Sequence, residues 1–297
     1  MIQGAIASLV TPFTSNGDLD TAAMSAMSDR AATAGFDSIC FAGGTGEFLS
    51  LTEAERDDGL KAVIDGAAGK PVLSSAMYTQ PKDILASAER SAKAGAQAIM
   101  VIPPYFYGAD QNSIFSYLSY VAQNSALPVL LFNSAKRGGT AMTPDTVIRL
   151  AEASSNFIGI KETTEDMNVI GDLVSRSPAG FRVIQAHEPV ILPSYVLGAT
   201  GSFGSLCNLI PKTVVRLHKA IGDNDLPLAR NLTRSISAIA DAAYSVTIPV
   251  GIKYLMRLAG IHDGDVRLPL ISGSLSEADQ KRLQGIIPVI KSAEAES

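Results

Sequence analysis

Eight short runs of aliphatic and β-branched residues constrain this chain more than any other feature of it. They are Ala5–Leu9, Ser38–Phe41, Pro71–Ser75, Ala98–Ile102, Pro128–Phe132, Phe157–Lys161, Phe181–Ala186 and Gly201–Gly204, and a segment of helix length follows each. Strands that alternate with helices pair in parallel, because the connection between parallel neighbours must cross over the sheet and a hairpin cannot make it. Eight such units within roughly 220 residues match a closed barrel. The expected fold class is therefore α/β, a (β/α)8 TIM barrel over residues 1–222, with a helical region over residues 223–297. In that region Leu226–Tyr244, Val250–Leu258 and Ser276–Lys291 carry helical spacing.

Local signals agree with this division. Thr52 and Glu55 form the ends of a capping box, in which the hydroxyl caps the first amides and the carboxylate reaches back. Gly35 and Gly95 each follow a helical pattern, at the position where a left-handed residue ends a helix. Ala34–Ile39 resembles Ala94–Ile99, and Pro71–Leu73 recurs as Pro128–Leu130, a faint repeat of two strand–helix units.

Composition removes several functions. Of 297 residues, 46% are hydrophobic and 18% charged, which excludes a disordered chain. A net charge of −5 argues against a nucleic-acid surface, which needs clustered Lys and Arg. The mean hydropathy of +0.20 is high, yet every apolar run is interrupted before it could span a bilayer. That hydrophobicity is assigned to an interior and to subunit contacts. Cys40 and Cys207 supply neither a disulfide framework nor metal-ligand spacing, and Cys40 reads as a small buried hydrophobe. Residues Met1–Ala7 lack a basic segment before their apolar stretch, so a cytoplasmic location is expected.

In such barrels the reactive groups sit at the C-terminal ends of strands and in the loops beyond them. Lys161 ends an apolar strand, where desolvation would lower its pKa and expose a nucleophilic amine suited to Schiff-base chemistry. The same position also suits a rim lysine paired with Glu162 or Glu165. Gly43-Gly44-Thr45-Gly46-Glu47 follows the second strand, where glycines let backbone amides converge on an anion and Thr45 adds a hydroxyl. A plain tight turn is the competing reading there. Arg137, in the loop after the fifth strand, has the fork geometry to clamp a carboxylate or simply to face solvent.

Several motifs together resemble one family. They are Gly43–Glu47 followed by Phe48-Leu49-Ser50-Leu51-Thr52, Phe132-Asn133 with Arg137-Gly138, and Gly159-Ile160-Lys161-Glu162. Thr11-Pro12-Phe13, Pro103-Pro104-Tyr105 and Gly198–Gly204 add to them, in order and over nearly the whole chain. The pattern is similar to that of the dihydrodipicolinate synthase/N-acetylneuraminate lyase family of pyruvate-type aldolases. The resemblance implies that Lys161 condenses with the ketone of a 2-oxo acid and that Gly44 and Thr45 seat the adjacent carboxylate. It implies further substrate contacts at Asn133, Arg137, Glu188 and Phe203. The protonated imine would serve as the electron sink, so no metal or organic cofactor is expected. The partner is a small 2-oxo acid, with neither nucleic acid nor membrane, and family members are commonly homotetramers built from dimers.

The chain departs from the family where proton transfer is concerned. Most members carry tyrosine where this chain has Phe132, and the synthases carry a relay threonine where it has Gly44. Their second relay tyrosine, supplied by a neighbouring subunit, aligns with Phe106, flanked by Tyr105 and Tyr107. His187 beside Glu188, and Thr163 two residues past Lys161, are candidate replacements by virtue of pKa range and position. His218 and His262 lie away from the strand ends and receive no role. The leading expectation is a lyase, either an aldolase or a dehydratase, acting on a 2-oxo acid such as a 2-keto-3-deoxy sugar acid. One alternative is 4-hydroxy-tetrahydrodipicolinate synthase activity, joining pyruvate to aspartate semialdehyde. Another is a non-catalytic barrel that binds oxo acids.

Overall fold

Prolines set where two strands begin. Pro71 and Pro128 accept hydrogen bonds from Ile39 and Ile99 but have no N–H to return, so the ladders start one residue later. A computed structural model describes residues 2–134 and 139–295. Its strands are β1 (Gly4–Ser8), β2 (Ser38–Phe41), β3 (Val72–Ser75), β4 (Ala98–Val101), β5 (Val129–Asn133), β6 (Phe157–Glu162), β7 (Arg182–Gln185) and β8 (Gly201–Gly204). All neighbours are parallel, and β8 pairs with β1 to close the barrel. Each expected strand is found within about two residues of its ends, the usual uncertainty at element boundaries.

The outer layer consists of α1 (Thr21–Ala34), α2 (Glu53–Gly66), α3 (Pro81–Ala94), α4 (Gln111–Asn124), α5 (Pro144–Ala153), α6 (Met167–Arg176), α7 (Ile191–Val196) and α8 (Pro211–Gly222). The capping box at Thr52 forms as expected: its hydroxyl accepts from the Glu55 N–H, and the Glu55 carboxylate accepts from the Thr52 N–H at 2.9 Å. Gly35 and Gly95 end α1 and α3 with φ near +102° and +103°, a conformation that a side chain resists.

Side chains alternate across the barrel wall with period two. Ile6, Cys40, Leu73, Met100, Leu130, Phe132, Ile184 and Phe203 fill the interior. Their neighbours Ala5, Ala7, Ile39, Phe41 and Val72 on one side, and Ile99, Val101, Val129, Leu131 and Val183 on the other, pack outward against the helices. Strand β6 breaks this phase. Phe157 faces out and Ile158 packs inward, yet Ile160 faces out again, so the alternation flips at Gly159. The ladder shows the same slip, pairing Val129 with Phe157 but Leu130 with Gly159. A Cβ at Gly159 would lie 2.4 Å from the Arg182 carbonyl oxygen, so the bulge needs a residue without one. The consequence is functional: without the slip, Lys161 would point into the helical layer.

Beyond the barrel, α9 (Leu226–Ala243) and α10 (Val250–Leu258) form as expected, but the third predicted helix is two helices, α11 (Glu277–Gly285) and α12 (Ile287–Ala295). Pro288 has no N–H to donate back to Gln284, and the break falls at Ile286 just before it. These helices share one apolar cluster with the outer faces of β1 and β2, through Ile236, Leu255, Leu283 and Ile290. No helix among the described residues is long and apolar enough to cross a membrane.

Candidate active site

The C-terminal end of the barrel opens into a cavity of about 530 Å³. Because the interior positions of β1, β5, β6 and β8 face the axis, their last inward side chains and those just beyond them form its floor and walls: Ser8, Phe132, Ser134, Lys161, Thr163, Phe203 and Ser205. The loops after β2 and β7 add Gly44, Thr45, His187 and Glu188. Strand register sets Phe132 directly beside Lys161.

Lys161 is only 7% exposed. Its Nζ lies 3.9 Å from the centre of the Phe132 ring and 4.0 Å from that of Phe203. Two ring faces at this distance attract a cation and exclude water from it. Cys40, in the same interior cluster, is not a competing nucleophile. Burial pushes its thiol up to about 11, which keeps it protonated.

Gly44 and Thr45, where a carboxylate seat is expected, line the same cavity as this lysine. Its turn is closed by the Gly46 N–H donating to the Gly43 carbonyl at 3.0 Å. The Thr11 hydroxyl holds the turn from below by donating to the Gly46 carbonyl at 2.6 Å.

The remaining predicted residues divide. Thr163 lines the cavity, and its hydroxyl donates to the Asn133 carbonyl at 3.0 Å, leaving oxygen lone pairs to accept. His187 also lines it, with Nε2 3.7 Å from a Glu165 carboxylate oxygen. Asn133, expected on the substrate, is spent on the protein instead. Its amide donates to the Met142 carbonyl and to Glu162, and its carbonyl accepts from the Met142 N–H. It does not line the cavity, because residue 133 follows Phe132 and alternation turns it outward. Glu162, buried beside it, has its carboxyl pushed up by burial, against the pull of bonds from Asn133 and from the Thr163 and Thr164 amides. Arg137 lies outside the described residues. His218 and His262 are not at the cavity; the former bonds Tyr195 at 2.6 Å.

Glu188 is buried, and its Oε1 accepts from the Ser205 and Leu206 amides at 2.7 and 3.2 Å. Gly204 makes this approach possible, since a Cβ there would lie 2.5 Å from the same oxygen. Sequence reasoning missed the other polar group in this corner. Tyr244, at the C-terminal cap of α9, lines the cavity, shares a 2.8 Å hydrogen bond with the Ser205 hydroxyl and lies near Glu188. Burial and the nearby Glu188 charge raise its pKa well above the usual phenol value, so it is a neutral hydroxyl able to donate. Val246, Thr247 and Ile248 continue this wall. Nothing local marks these residues, which lie at a helix end and its following loop, and only the docking of α9 brings them to the cavity.

This arrangement can do one kind of chemistry well. A buried primary amine flanked by apolar rings shares one cavity with the glycine-rich turn at Gly44 and Thr45, the hydroxyls of Ser205 and Tyr244, and Glu188. A sequence model of the Dihydrodipicolinate synthetase family matches residues 1–288 of the chain. The 4-hydroxy-tetrahydrodipicolinate synthase of Chlorobium luteolum is 30% identical over 97% of this chain and 98% of its own length. That of Chlorobium phaeobacteroides is 31% identical, with 91% and 92% covered. Among solved structures, the 4-hydroxy-tetrahydrodipicolinate synthase of Methylacidiphilum fumariolicum SolV superposes with a TM-score of 0.94 at 25% identity, covering 100% of this chain and 98% of that one. The dihydrodipicolinate synthase of Thermotoga maritima gives a TM-score of 0.93 at 25% identity, with 98% and 99% covered.

Proposed function

The chain belongs to the dihydrodipicolinate synthetase family of class I aldolase-type lyases, and on that premise we propose that it forms an imine between Lys161 and a 2-oxo acid of the pyruvate type. The observation that carries this reading is the position of Lys161, with its amine at the cavity floor between Phe132 and Phe203. The amine adds to the ketone carbon, water leaves, and the cationic imine draws electrons from the neighbouring carbon once that carbon loses a proton. The resulting enamine attacks an aldehyde; in the reverse direction it forms as the aldehyde leaves and is then protonated at carbon. In both directions water adds to the final imine and returns the free Lys161 amine. The imine is itself the electron sink, so the reading calls on no metal and no organic cofactor. Gly44 and Thr45 orient the carboxylate, and the rings at 132 and 203 keep water from the amine.

The acceptor has two readings. The relatives are 4-hydroxy-tetrahydrodipicolinate synthases, which favours condensation of pyruvate with aspartate semialdehyde. The cavity wall favours a hydroxylated chain such as a 2-keto-3-deoxy sugar acid, because Glu188, Ser205 and Tyr244 present a carboxylate and two hydroxyls where such a chain would extend. Phe132 and Gly44 bring no hydroxyl to the imine, so proton transfer falls to Thr163, Tyr244 or His187. Exposed Phe106 and Tyr107, stacked edge to face, support assembly with further copies of the chain as a homotetramer.

Borohydride reduction in the presence of pyruvate, followed by peptide mass spectrometry, tests the reading. A reduced adduct on Lys161 is expected, and an unmodified Lys161 at saturating pyruvate would sink it. Turnover on a panel of aldehyde acceptors and keto-deoxy acids then separates the two acceptor readings. Binding of pyruvate with no turnover on any member would leave only a non-catalytic barrel.

A further inference from the structure

A second buried lysine lies beside the carboxylate seat without touching the cavity. Lys253, on α10, is 4% exposed, and its Nζ is 2.5 Å from a carboxylate oxygen of Glu47. Glu47 ends the Gly43–Glu47 turn and stands at φ +53°, a left-handed conformation costly for a residue with a side chain. Ala42, at the other end of the turn, has the same φ. Gly46 between them is tightly enclosed, since a Cβ would lie 3.1 Å from the Ala42 Cα and from the Leu9 carbonyl oxygen and would push that backbone aside by a few tenths of an ångström. A turn strained at both ends keeps its shape only if its surroundings over-determine it.

Those surroundings come from the C-terminal region. The second Glu47 oxygen accepts from the Arg267 N–H at 2.9 Å. Lys253 also donates to the Asp265 carbonyl at 2.8 Å, so one short segment meets Glu47 from two directions. The Arg267 guanidinium bonds the Gly17 and Ser50 carbonyls and the Glu55 carboxylate, pinning the loop beyond the turn. Lys253 and Arg267 also lie over the Phe13 ring, at 4.3 and 4.1 Å from its centre. A buried ion pair is weak evidence for stability, because desolvation offsets most of its attraction. What it does supply is a fixed location for both partners.

We propose that Lys253 and Arg267 are positioning residues, which hold Glu47 and through it set Gly44 and Thr45 at the distance from Lys161 that a 2-oxo acid requires. The C-terminal region is then a working part of the substrate site, not a cover over the barrel. The proposal rests on the reading of Lys161 as the imine-forming lysine and of the turn as the carboxylate seat.

The test compares two ketones in the full-length protein, measuring the concentration that gives half-maximal borohydride trapping at Lys161. Pyruvate carries the carboxylate; hydroxyacetone does not. Lys253→Met is expected to raise the half-saturating pyruvate about tenfold or more, since a displacement of about 1 Å in a binding group costs that much or more. The value for hydroxyacetone should stay within about twofold, because that ketone makes no use of the seat. Arg267→Lys should shift pyruvate in the same direction by less, and it carries the test alone if Lys253→Met does not fold. Unchanged pyruvate in a folded variant overturns the proposal, and so does an equal weakening of both ketones. A wild-type protein that traps neither ketone removes the Schiff-base reading and this proposal with it, which distinguishes the two failures.

Discussion

Two lysines are buried among the described residues, and their surroundings differ in one decisive respect. Lys253, at the seam between the barrel and the C-terminal helices, has a carboxylate at 2.5 Å and a carbonyl at 2.8 Å. Lys161, at the barrel axis, has aromatic faces at 3.9 and 4.0 Å and opens onto a cavity. Burial lowers the pKa of Lys253 while the Glu47 charge opposes it, and the result is an ammonium fixed in place. A ring face stabilises a cation less firmly than a carboxylate, which suits the nucleophilic amine that the proposed imine chemistry calls for. The same residue type, similarly buried, is therefore held against a carboxylate in one place and set between aromatic faces at a cavity in the other.

Substitutions should separate the two. Lys161→Met is expected to abolish trapping and reduce turnover about a thousandfold or more, while the melting temperature holds or rises, since a buried amine is replaced by an apolar chain of similar length. A clear loss of stability in that variant would break the comparison. Lys253→Ala should do the reverse. Leaving the buried Glu47 carboxylate without its cationic partner costs about 3–5 kcal/mol, read from the urea midpoint, and the folded fraction should still form an imine at Lys161.

The smallest effect is one of pH at the same seam. The Arg267 guanidinium beside Glu55 is the main cause that holds this carboxyl down to about 2, against an ordinary value of 4.5. A depressed folded pKa means that the stabilisation is complete above about 4.5 and is lost as the pH falls toward 2. Solvent reaches part of the pair, so the loss should be roughly 1–2 kcal/mol. Urea denaturation at about pH 5 and about pH 3 measures it, and Arg267→Leu should flatten that difference. A wild-type stability unchanged over this range would show that the seam does not depend on the pair.

Much of the site lay open to reading because strand ends are local objects. The apolar run Phe157–Ile160 followed by a lysine is visible without any fold, as is the glycine-rich turn after Phe41. Other features were not. Asn133 lies in a motif with Phe132, and only the strand pleat shows that one faces the cavity while the other turns to Met142 and Glu162. Tyr244 looked like the end of an ordinary amphipathic helix until α9 docked against the barrel.

Composition, the eight aliphatic runs and the spacing of their turn residues determined a parallel barrel, its strand positions and the lysine at the end of the sixth strand. These depend on hydrophobic period and on residues near one another in the chain, which a sequence states directly. The tertiary structure alone decided which way that lysine points, through the slip at Gly159, where the Arg182 backbone leaves no room for a Cβ. It also brought Glu47 to Lys253 and Tyr244 to Glu188, contacts made by residues far apart in the chain. Such pairs carry no local signature, since their energy exists only once the C-terminal helices have packed against the barrel.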